Sequence, residues 1–168
     1  GARWAQMIDD GKLASEVFSE FIYDVTGNDP RLVVPEFEMS VWENTIDAAE
    51  AHNDPGKFTA IIGFEWSSFP TGDNLHRVVV FRDNKDKAIQ VKPISAFDSN
   101  DPEDLWKWLQ AYEDKTGGNI LAISHNGNLS SGRMFSLQTL SGNPLTRAYA
   151  ETRMRWEPLY ESTQYKGD

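Results

Sequence analysis

The sequence contains no cysteine, which removes two classes of site at once. Without thiols the chain forms neither disulfides nor thiolate metal sites, and because such chains occur in the cytoplasm and the periplasm alike, the compartment stays undetermined. No apolar run is long enough to cross a bilayer, so we expect no membrane span. The chain begins with Gly1 instead of Met and stops at Asp168, shortly after an expected strand. We therefore expect an internal portion of a longer protein.

Positive charge is also scarce. The chain has 16 Lys and Arg against 26 Asp and Glu, a formal net charge of −10. Such a surface repels phosphate backbones and anionic lipid headgroups, so we predict no nucleic-acid partner.

Apolar and aromatic residues are plentiful, at 39% and 12% of the chain, with six Trp and nine Phe. At 168 residues we predict a single domain with a substantial core, made of a helical segment (1–56) and an α/β segment (57–168). The tryptophans allow two interpretations, core packing or a carbohydrate-binding surface. Most of them fall at core-facing helical positions, which favours packing.

Periodicity predicts four helical stretches. Residues 3–26 are helical with a break at Gly11, and Gly27–Pro30 ends this stretch. Residues 31–39 are irregular, and a second helix starts at Ser40 and ends near His52, which we interpret as a structural or solvent-facing residue. Asp101 as N-cap, Pro102 at the first position and the glycine pair at 117–118 delimit a third. The fourth spans 146–156.

Runs of β-branched and aromatic residues predict strands within 58–68 and 74–81, with a loop between them, and further strands at 88–91, 119–124 and 159–164. Because strands alternate with helices over much of the chain, we expect an α/β fold with mostly parallel strands and flanking helices.

Three polar residues stand at the ends of apolar strands. Glu65 follows one such run, His76 precedes another, and His125 follows a third. In α/β folds ligands bind at strand ends, and imidazole with carboxylate is a usual ligand set for Zn, Mn or Fe. The spacing alone also allows an alternative, in which both histidines are hydrogen-bonded strand-edge residues and Glu65 pairs with Arg77 or Arg82.

Other chemistry is less well supported. Ser124 and His125 are adjacent, but the sequence has no nucleophile elbow. The segment 127–132 lacks the Gly-Lys-Ser/Thr of a phosphate-binding P-loop. With Arg133 beside it, this segment is compatible with an anion-binding loop and equally with a flexible polar loop.

A series of ordered segments resembles a bacterial family of unknown function related to the PHP (polymerase and histidinol phosphatase) metal-dependent hydrolases. The likeness runs from about Trp4 to Asp168. The segments are Gly63-Phe64-Glu65-Trp66, Asn74-Leu75-His76-Arg77 with Phe81-Arg82-Asp83, Asp101-Pro102 through Trp106, Ser124 through Asn128 with Gly132-Arg133-Met134, and Arg155-Trp156-Glu157-Pro158 with Thr163 through Gly167.

The resemblance implies part of a distorted PHP-like (β/α)7 barrel with two or three divalent metal ions, Zn, Mn or Fe, in the complete protein. It implies that Glu65, His76 and His125 are metal ligands and catalytic residues. Arg77, Asn126, Asn128 and Arg133 are implied as substrate-binding residues. Where PHP proteins usually have His-Pro, this chain has His125-Asn126.

PHP proteins also carry a His-x-His strand and late Asp and His ligands, and this chain has neither. We therefore expect the remainder of its own chain to complete the ligand set, and this portion alone to bind metal partly or not at all and to be inactive. The resemblance implies hydrolysis of a small-molecule ester by metal-activated water, in the manner of a phosphoesterase. The alternative is a non-catalytic or regulatory PHP-like binding module with an incomplete or lost metal site.

Overall fold

The structure is a computed structural model that describes residues 2–26 and 34–165. It divides into two compact units, residues 1–38 and 39–168. The first contains helices α1 (Ala2–Asp9) and α2 (Ala14–Thr26). Gly11 lies between them with φ of +83°, a conformation that favours glycine, so the predicted break is confirmed. The predicted stop at 27–30 and the irregular residues 31–33 lie outside the described residues.

Helix α3 is longer than predicted and spans Pro35–His52. Its first turn is already closed by the bond from the Glu38 N–H to the Val34 carbonyl, at 3.0 Å. The sequence prediction began this helix at Ser40, which is wrong because Pro35 occupies the first turn, where its fixed φ suits a helix and its missing N–H costs nothing. His52 is exposed at the C-terminus, and its Nδ1 lies 2.8 Å from the Ala48 carbonyl.

The second unit is built on a four-stranded sheet in the order β1-β2-β3-β4. The strands are β1 (Gly63–Trp66), β2 (Arg77–Phe81), β3 (Ile120–Ser124) and β4 (Leu159–Tyr160). The pairs β1–β2 and β2–β3 are antiparallel, and only β3–β4 is parallel.

The expected (β/α)7 barrel with mostly parallel strands is therefore wrong for this chain. The sheet is open and mostly antiparallel, with β1 and β4 at its edges. Residues 67–76 join β1 to β2 without the helical crossover that a parallel pair requires, so the two strands form an antiparallel pair. The fold class is a small α/β unit with a mixed sheet.

Another predicted strand, 88–91, is also wrong. Helix α4 (Lys85–Ala88) occupies its start, and Ala88 is fully buried. The Ala88 carbonyl accepts a hydrogen bond from Trp42 Nε1 at 3.2 Å. A short apolar run is equally compatible with a buried turn, so its pattern does not identify a strand.

Two further helices complete the unit, α5 (Pro102–Thr116) and α6 (Arg147–Trp156). The Asp101 side chain accepts from the Glu103 N–H at 2.9 Å, and Gly117 ends α5 in the left-handed conformation. Both predicted helix ends are confirmed. The segment 129–144 is largely irregular. It follows a short 3-10 turn at Gly127–Leu129 and contains another at Arg133–Phe135.

One face of the sheet forms the core with α3, α5 and α6. Val79 and Ala122 are fully buried on this face and meet Leu105 and Leu109 of α5. Burial of each such leucine stabilises the fold by about 1.5–3 kcal/mol. Four of the six tryptophans belong to this core, which supports packing over carbohydrate binding: Trp42, Trp66, Trp106 and Trp156. In the described part of the chain, the helices are too short or too polar to span a bilayer.

Candidate metal centre

The pairing of the strands brings the three predicted ligands to one end of the sheet. Because β1 and β2 are antiparallel, the C-terminal half of β1, with Glu65, lies beside the residues that open β2. Ser124 at the end of β3 pairs with Arg77 on the other side of β2. The ladder continues one residue further, since the His125 N–H donates to the His76 carbonyl at 3.0 Å. Residues far apart in sequence therefore become neighbours.

The side chains meet around the carboxylate of Glu65. Its Oε1 lies 2.8 Å from His76 Nδ1 and 3.8 Å from His125 Nε2. The two imidazole rings lie 6.4 Å apart between centroids. Glu65 is 44% exposed, whereas the side chains of His76 and His125 are 15% and 17% exposed. The cluster is thus open to solvent on the side of the carboxylate and enclosed around the imidazoles.

A fourth member of the cluster, Glu161, was missed by the sequence analysis. Its Oε2 lies 2.8 Å from His125 Nδ1 and accepts the Asn126 N–H at 3.0 Å. The Glu161 backbone N–H donates to the Ser124 carbonyl at 3.2 Å, which extends the parallel pairing of β3 and β4. A carboxylate behind one ring nitrogen holds the ring so that its other nitrogen faces a ligand. The signal in the sequence was an acidic residue directly after a short strand.

Glu161 also determines the tautomer that we assign to His125. When the imidazole is neutral, Nδ1–H donates to Glu161, and Nε2 keeps its lone pair toward Glu65. The amide nitrogen of Gln164 lies 3.5 Å from Nε2, at the limit of a hydrogen bond, in an orientation that suits an acceptor nitrogen. An imidazole nitrogen with an available lone pair is what a metal ion requires.

Asn126 lies at the base of the cluster with two unusual features. It adopts φ of +61°, which asparagine tolerates better than most residues, and it is 1% exposed. Its Oδ1 is buried and, among the described residues, has no hydrogen-bond partner. Buried polar atoms in native proteins are almost always bonded, so this oxygen is a further candidate contact for a bound ion or water.

The hydrogen bonds around His76 cannot all form at once. Its Nδ1 lies 2.8 Å from the Glu65 carboxylate and 3.3 Å from the Asn126 amide nitrogen. The first contact requires a proton on Nδ1, whereas the second requires a lone pair there.

As placed, the cluster is not a formed metal site. No group of three or more His, Asp or Glu side chains in residues 2–26 and 34–165 has the arrangement of one. The reason lies in the distances. Zinc bonds of about 2.1 Å in tetrahedral geometry keep ligand atoms about 3.4 Å apart. The contact of Glu65 with His76 is shorter than this, and its distance to His125 is longer.

The residue types nevertheless fit a divalent cation. The cluster brings together two imidazoles, a half-exposed carboxylate and the buried amide oxygen of Asn126. This set suits Zn, Mn or Fe.

The predicted substrate-binding residues lie in different surroundings. Arg77 is buried, 1% exposed, and its Nε donates to Glu157 Oε1 at 3.0 Å. Asn128 is exposed in the 3-10 turn that follows Asn126. Arg133 is half-exposed and donates through Nε to the Asp73 carboxylate. The alternative pairing of Glu65 with Arg77 is not what the structure has, because Glu65 contacts His76 and Arg77 contacts Glu157.

Glu157 is the centre of a separate buried network, which does not include the members of the histidine cluster. Its carboxylate accepts from Arg77, from Ser124 Oγ at 2.6 Å, from Trp106 Nε1 at 2.8 Å and from Arg153 Nε at 3.1 Å. Burial raises the pKa of Glu157, but Arg77 and Arg153 more than offset this effect and hold its pKa below the ordinary value. Ser124 is buried and used in this network, so it does not serve as a nucleophile here.

Comparison with known proteins gives one result. No curated protein and no solved structure matches the chain. One family model matches residues 5–168, nearly the whole sequence. The chain therefore belongs to the family described as protein of unknown function (DUF3604).

Proposed function

We propose that the chain carries part of the divalent-metal site of a hydrolase, with Glu65, His76 and His125 as ligands. The observation that supports this most is the convergence of these three side chains around one carboxylate oxygen. The carboxylate of Glu161 behind His125 and the unpaired oxygen of Asn126 add to it. As part of the same proposal, the family is related to the PHP metal-dependent hydrolases through the segments around Glu65, His76 and His125.

Each residue has a defined task in this proposal. His76 and His125 bind through imidazole nitrogens, and Glu161 keeps the His125 ring oriented. Glu65, the most exposed member, moves between the histidines and faces the side from which substrate enters. A bound divalent cation supplies an activated water and polarises the ester that is cleaved.

The substrate class we propose is a small ester, in the manner of a phosphoesterase. The remainder of the protein's own chain supplies further ligands in this proposal, because the PHP resemblance implies two or three metal ions, and two imidazoles with one carboxylate suffice for only one of them. We therefore expect the chain alone to bind metal weakly and to have little activity.

A second candidate function is a non-catalytic or regulatory binding module. The direct contact of Glu65 with His76 is the observation behind it, because a carboxylate and an imidazole 2.8 Å apart form a hydrogen-bonded pair by themselves. In that case the cluster ties β1 to β2 and serves stability or partner binding.

The experiment is a calorimetric titration of the chelator-treated full-length protein with Zn²⁺ and Mn²⁺. His76→Ala and His125→Ala should abolish saturable binding. The remaining histidine, His52, is exposed and lies outside the cluster, so His52→Ala is the matched control and should bind as the unaltered protein does. If His76→Ala and His125→Ala bound the metal ions as well as His52→Ala does, the proposed site would be refuted.

Activity separates the two functions. A panel of phospho-, sulfo- and carboxyl-esters should be tested with the full-length protein loaded with each metal. Turnover that is lost in the His125→Ala variant supports the hydrolase. Binding of metal without turnover on any ester supports the binding module.

A further inference from the structure

A second polar site lies on the opposite face of the sheet from the histidine cluster. A partly open cavity of about 40 Å³ is lined by α6, by the start of β2 and by the segment 133–140. The charged residues that line it are all arginines: Arg77, Arg133 and Arg153. The rest of the wall is uncharged and partly apolar: Ser136, Gln138, Thr139, Tyr149, Leu75, Pro102, Met134 and Leu140. In a chain with a net charge of −10, a cavity whose charged lining residues are all cations is unexpected.

The arginines of this cavity are not fully neutralised by their bonded partners. Arg77 and Arg153 share a single carboxylate, that of Glu157, and the side chains of all three are largely buried, at 2%, 18% and 1% exposure. Arg133 pairs with Asp73. Three cations thus face two carboxylates. A buried excess of positive charge is costly, and an anion taken from solvent relieves that cost.

The guanidinium groups also retain donors. Arg153 donates through Nε to Glu157, through Nη1 to the Met134 carbonyl and through Nη2 to Ser124. Arg77 uses its three nitrogens on Glu157 and on the Leu75 carbonyl. Each terminal nitrogen carries two hydrogens, so both residues keep N–H groups beyond these bonds. Among the residues that the structure describes, Arg133 donates only through Nε, so the two terminal nitrogens of its guanidinium group keep their donors.

We infer that this cavity binds a tetrahedral oxyanion, phosphate or sulfate, either free or as the terminal group of an ester. Planar guanidinium forks match the oxygens of such an anion and bind it with charge-assisted hydrogen bonds. The volume holds about three water molecules, which is the scale of a small oxyanion. Arg77 and Arg153 form the fixed floor, and the more exposed Arg133 closes the mouth.

The site is separate from the histidine cluster. Glu65, His76 and His125 do not line the cavity. Oxyanion binding therefore does not require a metal, and the inference stands or falls independently of the proposed hydrolase.

The test is calorimetric titration of the purified protein with inorganic phosphate, in the presence of chelator and at constant ionic strength. Saturable binding is expected, and Arg133→Gln should weaken it about tenfold through loss of charged donors. Arg147→Gln removes the same charge from a 90% exposed position on α6 and is the matched control, which should leave binding unchanged. Arg153→Lys keeps a charge next to Glu157 but loses the fork, so binding should weaken there too.

A phosphate monoester, glycerol phosphate, tested in parallel distinguishes the two sources of the anion. Equal or tighter binding of the monoester identifies the cavity as the subsite for the terminal group of a larger molecule. Tighter binding of inorganic phosphate identifies a site for the free anion. Absence of saturable binding for both anions would overturn the inference, as would an equal effect of Arg133→Gln and Arg147→Gln. Circular dichroism of each variant establishes that the comparison is between folded proteins.

Discussion

His125 and Glu161 are 36 residues apart and are joined by a contact of 2.8 Å between Nδ1 and the carboxylate. Between them lie the irregular segment 129–144 and helix α6, and the parallel pairing of β3 with β4 closes the loop. The contact gives His125 a defined ring orientation, with Nε2 toward Glu65. It is the relationship on which the proposed metal site depends most.

Glu161→Gln should therefore weaken metal binding without removing a ligand. Loss of a carboxylate behind a ligating histidine typically lowers metal affinity about 10–100-fold. The measurement is a competition titration with a chromophoric zinc chelator. The control is Glu151→Gln, which changes the same group at an exposed site on α6. Identical zinc affinities in the two variants would show that Glu161 does not orient a ligand.

Glu157→Gln should lower the free energy of unfolding by about 3–5 kcal/mol, because it leaves the buried cations Arg77 and Arg153 without their shared anion. Urea unfolding followed by tryptophan fluorescence measures the loss. Glu151→Gln again serves as control and should change stability by less than about 0.5 kcal/mol. A small loss of unfolding free energy in Glu157→Gln would mean that solvent reaches this network and screens the two arginines.

The lowered pKa of Glu157 predicts that the free energy of unfolding depends on pH. The pKa of Glu157 in the folded protein lies below its ordinary value of 4.5, so between these values the unfolded state binds more protons. Its contribution to stability is complete above the ordinary pKa and is lost as pH falls through the folded value. The stability difference between the unaltered protein and Glu157→Gln should be constant near neutrality and shrink below about pH 4.5. A difference that is flat across the acid range would contradict the assignment.

Gly63→Ala should disturb both stability and the site. A Cβ at this position meets the Val79 carbonyl oxygen at 2.6 Å, and because that atom is backbone, β1 must shift. Overpacking of this kind costs about 1–3 kcal/mol. Glu65 lies two residues further along β1, so zinc affinity should also fall.

Thermal unfolding and zinc titration of the Gly63→Ala variant measure these two effects. Ser67→Ala, at an exposed position just beyond β1, is the control and should leave both quantities unchanged. If Gly63→Ala unfolded at the same temperature as the unaltered protein, the edge strand β1 would have moved away from the Val79 carbonyl at no cost in stability.

The sequence by itself determined the local elements whose signals are contained within a few residues. Asp101, Pro102 and Gly117 define α5 because capping and the left-handed C-terminal residue act locally. Glu65, His76 and His125 could be selected as candidates because polar residues at the ends of apolar strands are visible in the sequence. Their metal-binding and catalytic roles stay predictions.

Only the tertiary structure decided the direction of the strands, the fourth member of the cluster and the position of Arg77. Strand direction depends on how β1, β2 and β3 pair across the sheet, and no local pattern encodes it. Glu161 reaches His125 only because β4 pairs with β3. Arg77 next to a candidate ligand suggested a substrate contact, yet its side chain lies in the core, where the buried carboxylate of Glu157 is available as a partner. These outcomes depend on contacts between distant segments, whereas helix caps and apolar runs depend on neighbours along the chain.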